Sequence, residues 1–205
     1  MTRNFWLGLV ASVVVLAAAV GIAFALDRRG SDVELPDTLD GMHAFDSDAG
    51  QRELGAEDDK VIAESIRKTR SAQGYAEDQV SDAYDGADAD IRQYTRLTDD
   101  GSNRIYQVTA VAAESGPLLP EGGFPDPERL GVAFPTVDRT VDGEVACLAR
   151  YNPVPDGGDD VSPDDHIQSV VCQRTSGSLT VRVQTGVAPV DSVVDVTNAA
   201  WDDLD

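Results

Sequence analysis

The stretch that decides the fold is IQSVVCQRTSGSLTVRVQT, which runs from Ile167 to Thr185. In its second half apolar residues alternate strictly with polar ones: Leu179, Val181 and Val183 against Thr180, Arg182 and Gln184. Strict alternation is typical of a β-strand with one buried and one solvent-facing side. Ser176 and Gly177 divide the two halves and predict a tight turn. The stretch therefore predicts two consecutive antiparallel strands.

Further strands are predicted on the N-terminal side of this hairpin. The segment Gly143–Tyr151 (GEVACLARY) has the composition of a strand, and the polar residues 153–166 connect it to Ile167. Another strand, RIYQVTAVAAE, follows a turn signal at 99–101. The proline-rich residues 115–135 are interpreted as a loop. We expect the last three strands to run consecutively in an antiparallel sheet.

Helices are predicted before and after these strands. The first is capped by Asp46–Asp48 and closed by Gly74, with one narrow apolar stripe of Leu54, Ile62 and Ile66. Residues 75–97 contain a turn signal at 85–86, and strand–turn–strand is favoured over helix there. The last helix starts at Pro189 or Asp191. Its apolar face consists of Val190, Val194, Thr197, Trp201 and Leu204.

The N-terminal segment predicts a membrane span. Residues 5–26 (FWLGLVASVVVLAAAVGIAFAL) carry no charge, and a helix of this length crosses a hydrocarbon core of about 30 Å. The alternative is a signal peptide with the cleavage pattern Ala23-Phe24-Ala25, although its apolar region would be unusually long. The fold class is therefore α+β: an N-terminal transmembrane helix followed by an antiparallel sheet packed with early and C-terminal helices.

This span divides the chain into four parts: a cytoplasmic stub at 1–4, the transmembrane helix at 5–26, a tether at 27–34 and an extracytoplasmic domain at 35–205. We expect a single-pass protein of the cell membrane, with its N-terminus in the cytoplasm and its C-terminal domain outside. Ala17, Gly21 and Ala25 share one helix face, which favours a partner helix or self-association. The alternative is that small residues are simply abundant in such spans.

The chain is strongly acidic, with 37 Asp and Glu against 16 Lys and Arg and a formal net charge of −21. Nucleic acids and anionic lipid head groups both attract basic surfaces, so the composition argues against either as a partner. Two cysteines cannot form a zinc site of four thiolates. No cofactor is predicted, and the sequence identifies no protein partner.

The two cysteines, Cys147 and Cys172, each lie in the middle of a predicted strand between apolar residues. If the strands are neighbours, a buried disulfide across the sheet fits this placement. Its loop closure would stabilise the fold by roughly 3 kcal/mol. Two free buried thiols or a redox pair are the alternatives, although the Cys-x-x-Cys spacing of redox pairs is absent.

The best metal candidate in the sequence is the acidic loop 156–166 (DGGDDVSPDDH). Asp156, Asp159 and Asp160 could supply oxygen ligands to Ca²⁺. The spacing does not fit an EF-hand, and in so acidic a chain a solvated loop is the favoured interpretation. We therefore assign no metal and treat these aspartates as weak calcium candidates.

Catalytic residues are not indicated by any motif. The two histidines, His43 and His166, have no companion such as Gly-x-Ser-x-Gly. Carboxylate pairs for glycoside hydrolysis remain an alternative, but abundant acids make any single pair uninformative. The sequence thus favours a membrane-anchored extracytoplasmic domain that acts by binding or as an accessory protein of an envelope complex. The alternative is a secreted or tethered hydrolase that uses carboxylates.

The layout also carries a resemblance to a known group. One N-terminal span is followed by an extended segment at 35–42 with an LP-x-T-x-x-G-like pattern. After it come a helix and a block with Cys147, Cys172 and a final amphipathic helix. This layout resembles single-pass membrane proteins of actinobacteria in which a small exported domain carries two cysteines. The resemblance implies the same topology and the disulfide. It implies no catalytic mechanism.

Overall fold

An antiparallel β-sheet forms the centre of the chain in the computed structural model, which describes residues 33–98, 101–157 and 161–204. The described strands are β1 (Thr38–Leu39), β2 (Met42–Ala44), β3 (Ala89–Leu97), β4 (Asn103–Val111), β5 (Val137–Asp142), β6 (Val145–Tyr151), β7 (Ile167–Ser176) and β8 (Leu179–Thr185). Across the sheet they follow the order β1-β2-β3-β4-β8-β7-β6-β5, and every pairing is antiparallel. The predicted α+β class is thereby confirmed, as is the consecutive run of the last three strands.

Helices flank the sheet within the described residues. They are α1 (Asp48–Glu53), α2 (Asp59–Ala83), α3 (Pro127–Leu130) and α4 (Val190–Asp202), with a 3₁₀ helix at Pro163–His166. Side chains cap the first two: the Ser47 hydroxyl accepts from the amide of Gly50, and the Asp58 carboxylate accepts from the amide of Lys60. Such caps satisfy amides that have no partner inside the helix. They fix where α1 and α2 begin.

The helix α4 covers one face of the sheet. Its buried residues are Val193, Val194, Val196, Thr197, Ala200 and Trp201. All of these except Thr197 belong to the main hydrophobic core, together with Tyr106 and Val108 of β4 and Val181 and Val183 of β8. The predicted face of α4 was right, because Val190 and Leu204 also pack against this core. Burial of each Val contributes about 1.5–3 kcal/mol, so this face carries the main hydrophobic stabilisation.

The long helix α2 packs against β3. Side chains alternate along a strand, so the residues of β4 and β8 that lie between the core positions point away from α4. Gln107 of β4 and Arg182 of β8 belong to this second set, and they lie near α2. The sheet therefore has one face filled by apolar packing under α4, and a second face that is polar at β4 and β8 and partly covered by α2. A smaller apolar cluster lies on this second face at Leu148 of β6 and Val171 of β7.

The predicted early helix was wrong in its bounds. Two helices replace it: α1 ends at Glu53, and α2 starts at Asp59 and continues through Gly74 to Ala83. Gly55, with a φ of 88°, breaks the first helix, and the Asp58 cap starts the second. A glycine inside a helix costs only about 1 kcal/mol, so Gly74 does not end α2.

The interpretation of residues 75–97 was wrong in its first half and right in its second. Residues 75–83 are helical because they continue α2. The turn predicted at Asp85 and Gly86 is present, with φ values of 58° and 83°. The strand after it is β3.

The remaining differences concern short elements. The segment at 35–42 was expected to be extended, and it contains β1, which pairs with β2 through Asp40 and Gly41, both at positive φ. The loop predicted at 115–135 contains the short helix α3. The edge strand β5 was not predicted, because Val137 alone among its residues is buried. Edge strands of this kind have no alternating apolar pattern.

The predicted transmembrane helix at 5–26, with Ala17, Gly21 and Ala25, lies outside the described residues. Among the residues that are described, none of the helices combines the length and apolar character that a membrane crossing requires.

Candidate functional site

A groove of about 440 Å³ lies between α2 and the polar face of the sheet. The helix contributes Tyr75, Ala76, Gln79 and Val80, followed by Tyr84 at its C-cap. The strands contribute Ile91, Gln107, Thr109, Val111, Thr180, Arg182 and Gln184. This volume is within the range of about 300–1,000 Å³ that is common for small-molecule sites. The groove, defined by these residues, is the candidate functional site.

Strand register sets the floor of the groove. Gln107 of β4 lies directly opposite Gln184 of β8, and Thr109 lies opposite Arg182. Directly opposed residues of an antiparallel pair have their Cβ atoms only about 5 Å apart. Amide, hydroxyl and guanidinium groups are therefore concentrated in one small area of the floor.

The wall of the groove is apolar and aromatic. Tyr75 is exposed at the mouth, with 69% of its surface accessible, whereas Ile91 is buried at the base. Ala76 and Val80 of α2 also line it, with Gln79 as the polar residue of this wall. Apolar and aromatic walls with a few convergent polar groups are typical of small-molecule sites.

The loop after β4 closes one end of the groove. The hydroxyls of Tyr84 and Ser115 are 3.0 Å apart. The amide of Ser115 donates to Oγ1 of Thr180 at 2.9 Å, and that hydroxyl donates to the carbonyl of Ala113 at 2.7 Å. These bonds join the loop to both α2 and β8, so this end of the groove is held in place.

Arg182 is the cation of the groove, and Gln173 of β7 orients it. Nε and Nη2 of Arg182 donate to the same oxygen of Gln173, at 3.2 and 2.6 Å. Gln173 is only 3% exposed, and its amide nitrogen donates to the carbonyl of Gly116 at 2.9 Å. Within the described part of the chain, no carboxylate forms an ion pair with Arg182. Its positive charge is thus neutralised by none of these residues.

A second cavity of about 230 Å³ continues the groove along α2. Both cavities are lined by Ala76, Ile91 and Gln107. In the second, the buried Nε2 of Gln73 has no hydrogen-bond partner among the described residues. A buried donor without an acceptor costs about 1–3 kcal/mol, so this amide is a further polar group that a ligand could satisfy.

Three carboxylates that do not line the groove form a cluster around Arg92. Nη1 of Arg92 lies 2.6 Å from Asp37, and its other nitrogens lie 3.9 Å from Asp46 and Asp90. Burial raises the pKa of Glu77, and the neighbouring Asp90 raises it further. Glu77 accepts from the amide of Ile91 at 3.3 Å and so connects α2 to β3. The cluster fixes α2 on the sheet.

The predicted disulfide is confirmed. Cys147 and Cys172 are directly paired in the register of β6 and β7, and their sulfurs are bonded. Both are essentially buried, and both belong to the core under α4. The disulfide therefore lies on the opposite face of the sheet from the groove and has a structural role.

The other residues singled out in the sequence do not come together. Asp156 is exposed, and its amide donates to the carbonyl of Gly131 at 2.9 Å. Asp159 and Asp160 lie outside the described residues. Over the described ranges, His, Cys, Asp and Glu form no group of three that could hold a metal ion. His43 approaches Thr38 at 3.4 Å, whereas the ring of His166 packs near Phe134.

The residues of the groove were not recognised in the sequence as a site. Thr180, Arg182 and Gln184 were identified there only as the polar side of a strand. Two signals were present: a lone arginine among uncharged polar residues, and tyrosines at 75 and 84. They could not be connected, because residues 75–83 were not expected to form a helix beside this face.

Comparisons with known proteins add no relative: no family model, curated protein or solved structure matches the chain.

Proposed function

We propose that the protein is a membrane-anchored extracytoplasmic binding protein, either on its own or as an accessory of an envelope complex, and that it binds a small ligand in the groove. The observation that carries this proposal is the groove itself, which combines a volume of about 440 Å³ with an aromatic wall and a polar floor. Hydrogen bonds hold the elements around it in place: Ser115 joins the loop after β4 to β8, and Glu77 joins α2 to β3. Sites formed before the ligand arrives lose less conformational entropy on binding.

Two features support the proposal that the domain after the span lies outside the cell membrane. Residues 5–26 have the length and composition of a span, as the resemblance to single-pass actinobacterial proteins also implies. The disulfide between Cys147 and Cys172 fits an oxidising compartment, because cytosolic thiols are usually kept reduced. Protease added to intact, wall-stripped cells should therefore digest residues 27–205. Protection of these residues until the membrane is broken would contradict the proposed topology.

A tethered hydrolase that uses carboxylates is the alternative function. The pair Glu77 and Asp90 would be its candidate, because a carboxyl group of raised pKa beside a second carboxylate is typical of acid–base sites. Both groups, however, hold the backbone: Glu77 accepts from Ile91, and Asp90 accepts from the amide of Leu35 at 2.6 Å. Neither lines the groove. These contacts favour binding over hydrolysis.

The binding role can be tested with a neutral aromatic probe. Full-length protein in lipid discs is titrated with naphthamide, and binding is followed by ligand-observed NMR. Ala76→Trp places an indole in the groove, whereas Ala63→Trp makes the same change at an exposed position of α2 outside it. We expect naphthamide to bind the wild type and Ala63→Trp, and to bind Ala76→Trp at least about tenfold more weakly. Equal binding of naphthamide to both variants would contradict the proposed function, as would a wild type that binds neither naphthamide nor its carboxylate analogue naphthoate.

A further inference from the structure

We propose that the ligand of the groove is a small carboxylate with an apolar body, and that Arg182 binds its carboxylate group. This inference rests on the proposed function, because it names the class of ligand that the groove takes.

The first step is the donor geometry of Arg182. A guanidinium is a planar fork with N–H donors on each nitrogen. Gln173 uses one donor of Nε and one of Nη2. The donors on Nη1, and the second donor of Nη2, have no acceptor among the described residues. One donor from each terminal nitrogen then points outward in parallel, which is the geometry that a carboxylate accepts with both oxygens.

The second step is charge. Many arginines of this acidic chain are paired with carboxylates: Arg52, Arg70, Arg92, Arg96, Arg129 and Arg174. Arg182 contacts a neutral amide instead. A glutamate at position 173 would neutralise the guanidinium, whereas Gln173 orients it and leaves its charge for a ligand. Arg182 therefore favours an anionic group over a neutral or cationic one.

The third step is orientation. Gln173 is buried, and its own amide is fixed by the carbonyl of Gly116, so its oxygen points at Arg182. An arginine held in this way loses little side-chain freedom when it binds. Gln173 is thus a positioning residue for Arg182.

The apolar body of the ligand is inferred from the apolar residues that line the groove together with Arg182. Tyr75, Val80 and Ile91 line the groove together with Arg182. An inorganic anion would leave this apolar surface uncovered. An aromatic or aliphatic carboxylate would cover it, and burial of apolar surface contributes about 25 cal/mol per Å².

The test compares three probes that share one ring system: naphthoate, the neutral naphthamide and the cationic naphthylmethylammonium. Full-length protein in lipid discs is titrated with each probe by calorimetry. We expect naphthoate to bind at least about tenfold more tightly than naphthamide, because a charge-assisted bidentate contact is stronger than a neutral one. We expect the cation to bind more weakly than both.

Variants then assign the preference to Arg182. Arg182→Gln should remove the difference between naphthoate and naphthamide, and Arg182→Lys should retain part of it. Arg104→Gln is the matched control, because it makes the same charge change on β4 at a position that does not line the groove. Circular dichroism shows whether each variant is folded. The comparison of probes on the wild type does not depend on any variant.

The outcomes separate the two proposals. Equal affinity for naphthoate and naphthamide in the wild type, or an undiminished preference in Arg182→Gln, would overturn the inference. If naphthamide binding is still blocked by Ala76→Trp in that case, the proposed function stands without it. If none of the three probes binds, both are overturned.

Discussion

The guanidinium of Arg182 and the side-chain oxygen of Gln173 share two hydrogen bonds, through Nε at 3.2 Å and Nη2 at 2.6 Å. The two residues are directly opposed on β7 and β8. This pairing places the cation of the groove without neutralising it. Several measurable consequences depend on this contact and on the way α2 is held over the sheet.

Gln173→Leu should destabilise the fold by about 1–3 kcal/mol, because the carbonyl of Gly116 and the donors of Arg182 lose buried partners. Gln107→Leu is the control on the same face, where the side chain is exposed, and we expect a change within about 0.5 kcal/mol. Urea unfolding measures both. The preference for naphthoate over naphthamide should also fall in Gln173→Leu. Equal stability of the two variants would contradict the role assigned to Gln173.

Two glycines give opposite predictions for the same substitution. A Cβ built on Gly50 would overlap the carbonyl oxygen of Ala44, so Gly50→Ala must displace backbone and should destabilise strongly. Gly74 has open space around it inside α2, so Gly74→Ala should stabilise by about 0.5–1 kcal/mol. Thermal unfolding distinguishes them. Destabilisation by Gly74→Ala would indicate that α2 ends there, as the sequence first suggested.

Glu77→Gln tests the carboxyl cluster through pH. Burial and Asp90 raise the pKa of Glu77 in the folded protein. Glu77 therefore contributes its full stabilisation below the pKa that it has in the unfolded chain. This stabilisation is lost as pH rises through its higher pKa in the folded protein. Gln stays neutral at every pH, so the variant should be more stable than the wild type at neutral pH and equal to it in acid. The amide oxygen of Gln can still accept from Ile91.

Glu64→Gln is the control for that experiment. It removes one carboxylate from the same helix, but the bond to Lys68 lowers the pKa of Glu64. The stabilisation that Glu64 contributes is present above the pKa that it has in the unfolded chain and is lost as pH falls. Glu64→Gln should therefore be slightly less stable than the wild type at neutral pH. Stability–pH curves of the same sign for both variants would contradict the account of Glu77.

The disulfide makes a prediction for mass mapping and for stability. Peptides that contain Cys147 and Cys172 should remain linked when the protein is digested without reductant. Replacement of both residues by Ala should cost roughly 3 kcal/mol, because the bond closes a loop of 25 residues in the unfolded chain. Alkylation of both thiols in unfolded, unreduced protein would exclude the bond.

The sequence predicted the parts of the fold in which one local pattern decides the outcome. Leu179, Val181 and Val183 alternate strictly, and the strand β8 follows that pattern. The cysteines were placed because both lie in apolar strand segments, and neighbouring strands brought them into register. The strand pattern needs only short-range information, whereas the disulfide also depends on β6 and β7 being neighbours in the sheet.

The parts that the sequence did not predict depend on tertiary packing. Gly74 resembles a helix end locally, and α2 continues past it because its next turns lie over the sheet. Thr180 and Arg182 were interpreted as solvent-facing because the sequence of β8 does not indicate that α2 lies above them. The groove could be recognised only when both elements were placed.

Chemical-shift mapping of the naphthoate complex tests the central claim most directly. The full-length protein, labelled with ¹⁵N and held in lipid discs, is titrated with naphthoate while backbone amides and the Nη–H groups of the Arg182 side chain are observed. The account predicts shifts at groove residues such as Tyr75, Thr109 and Gln184, together with a shift of the Arg182 Nη–H groups. Residues of α4 on the opposite face should not move. Shifts confined to the α4 face, or an unchanged Arg182 signal at saturation, would contradict it.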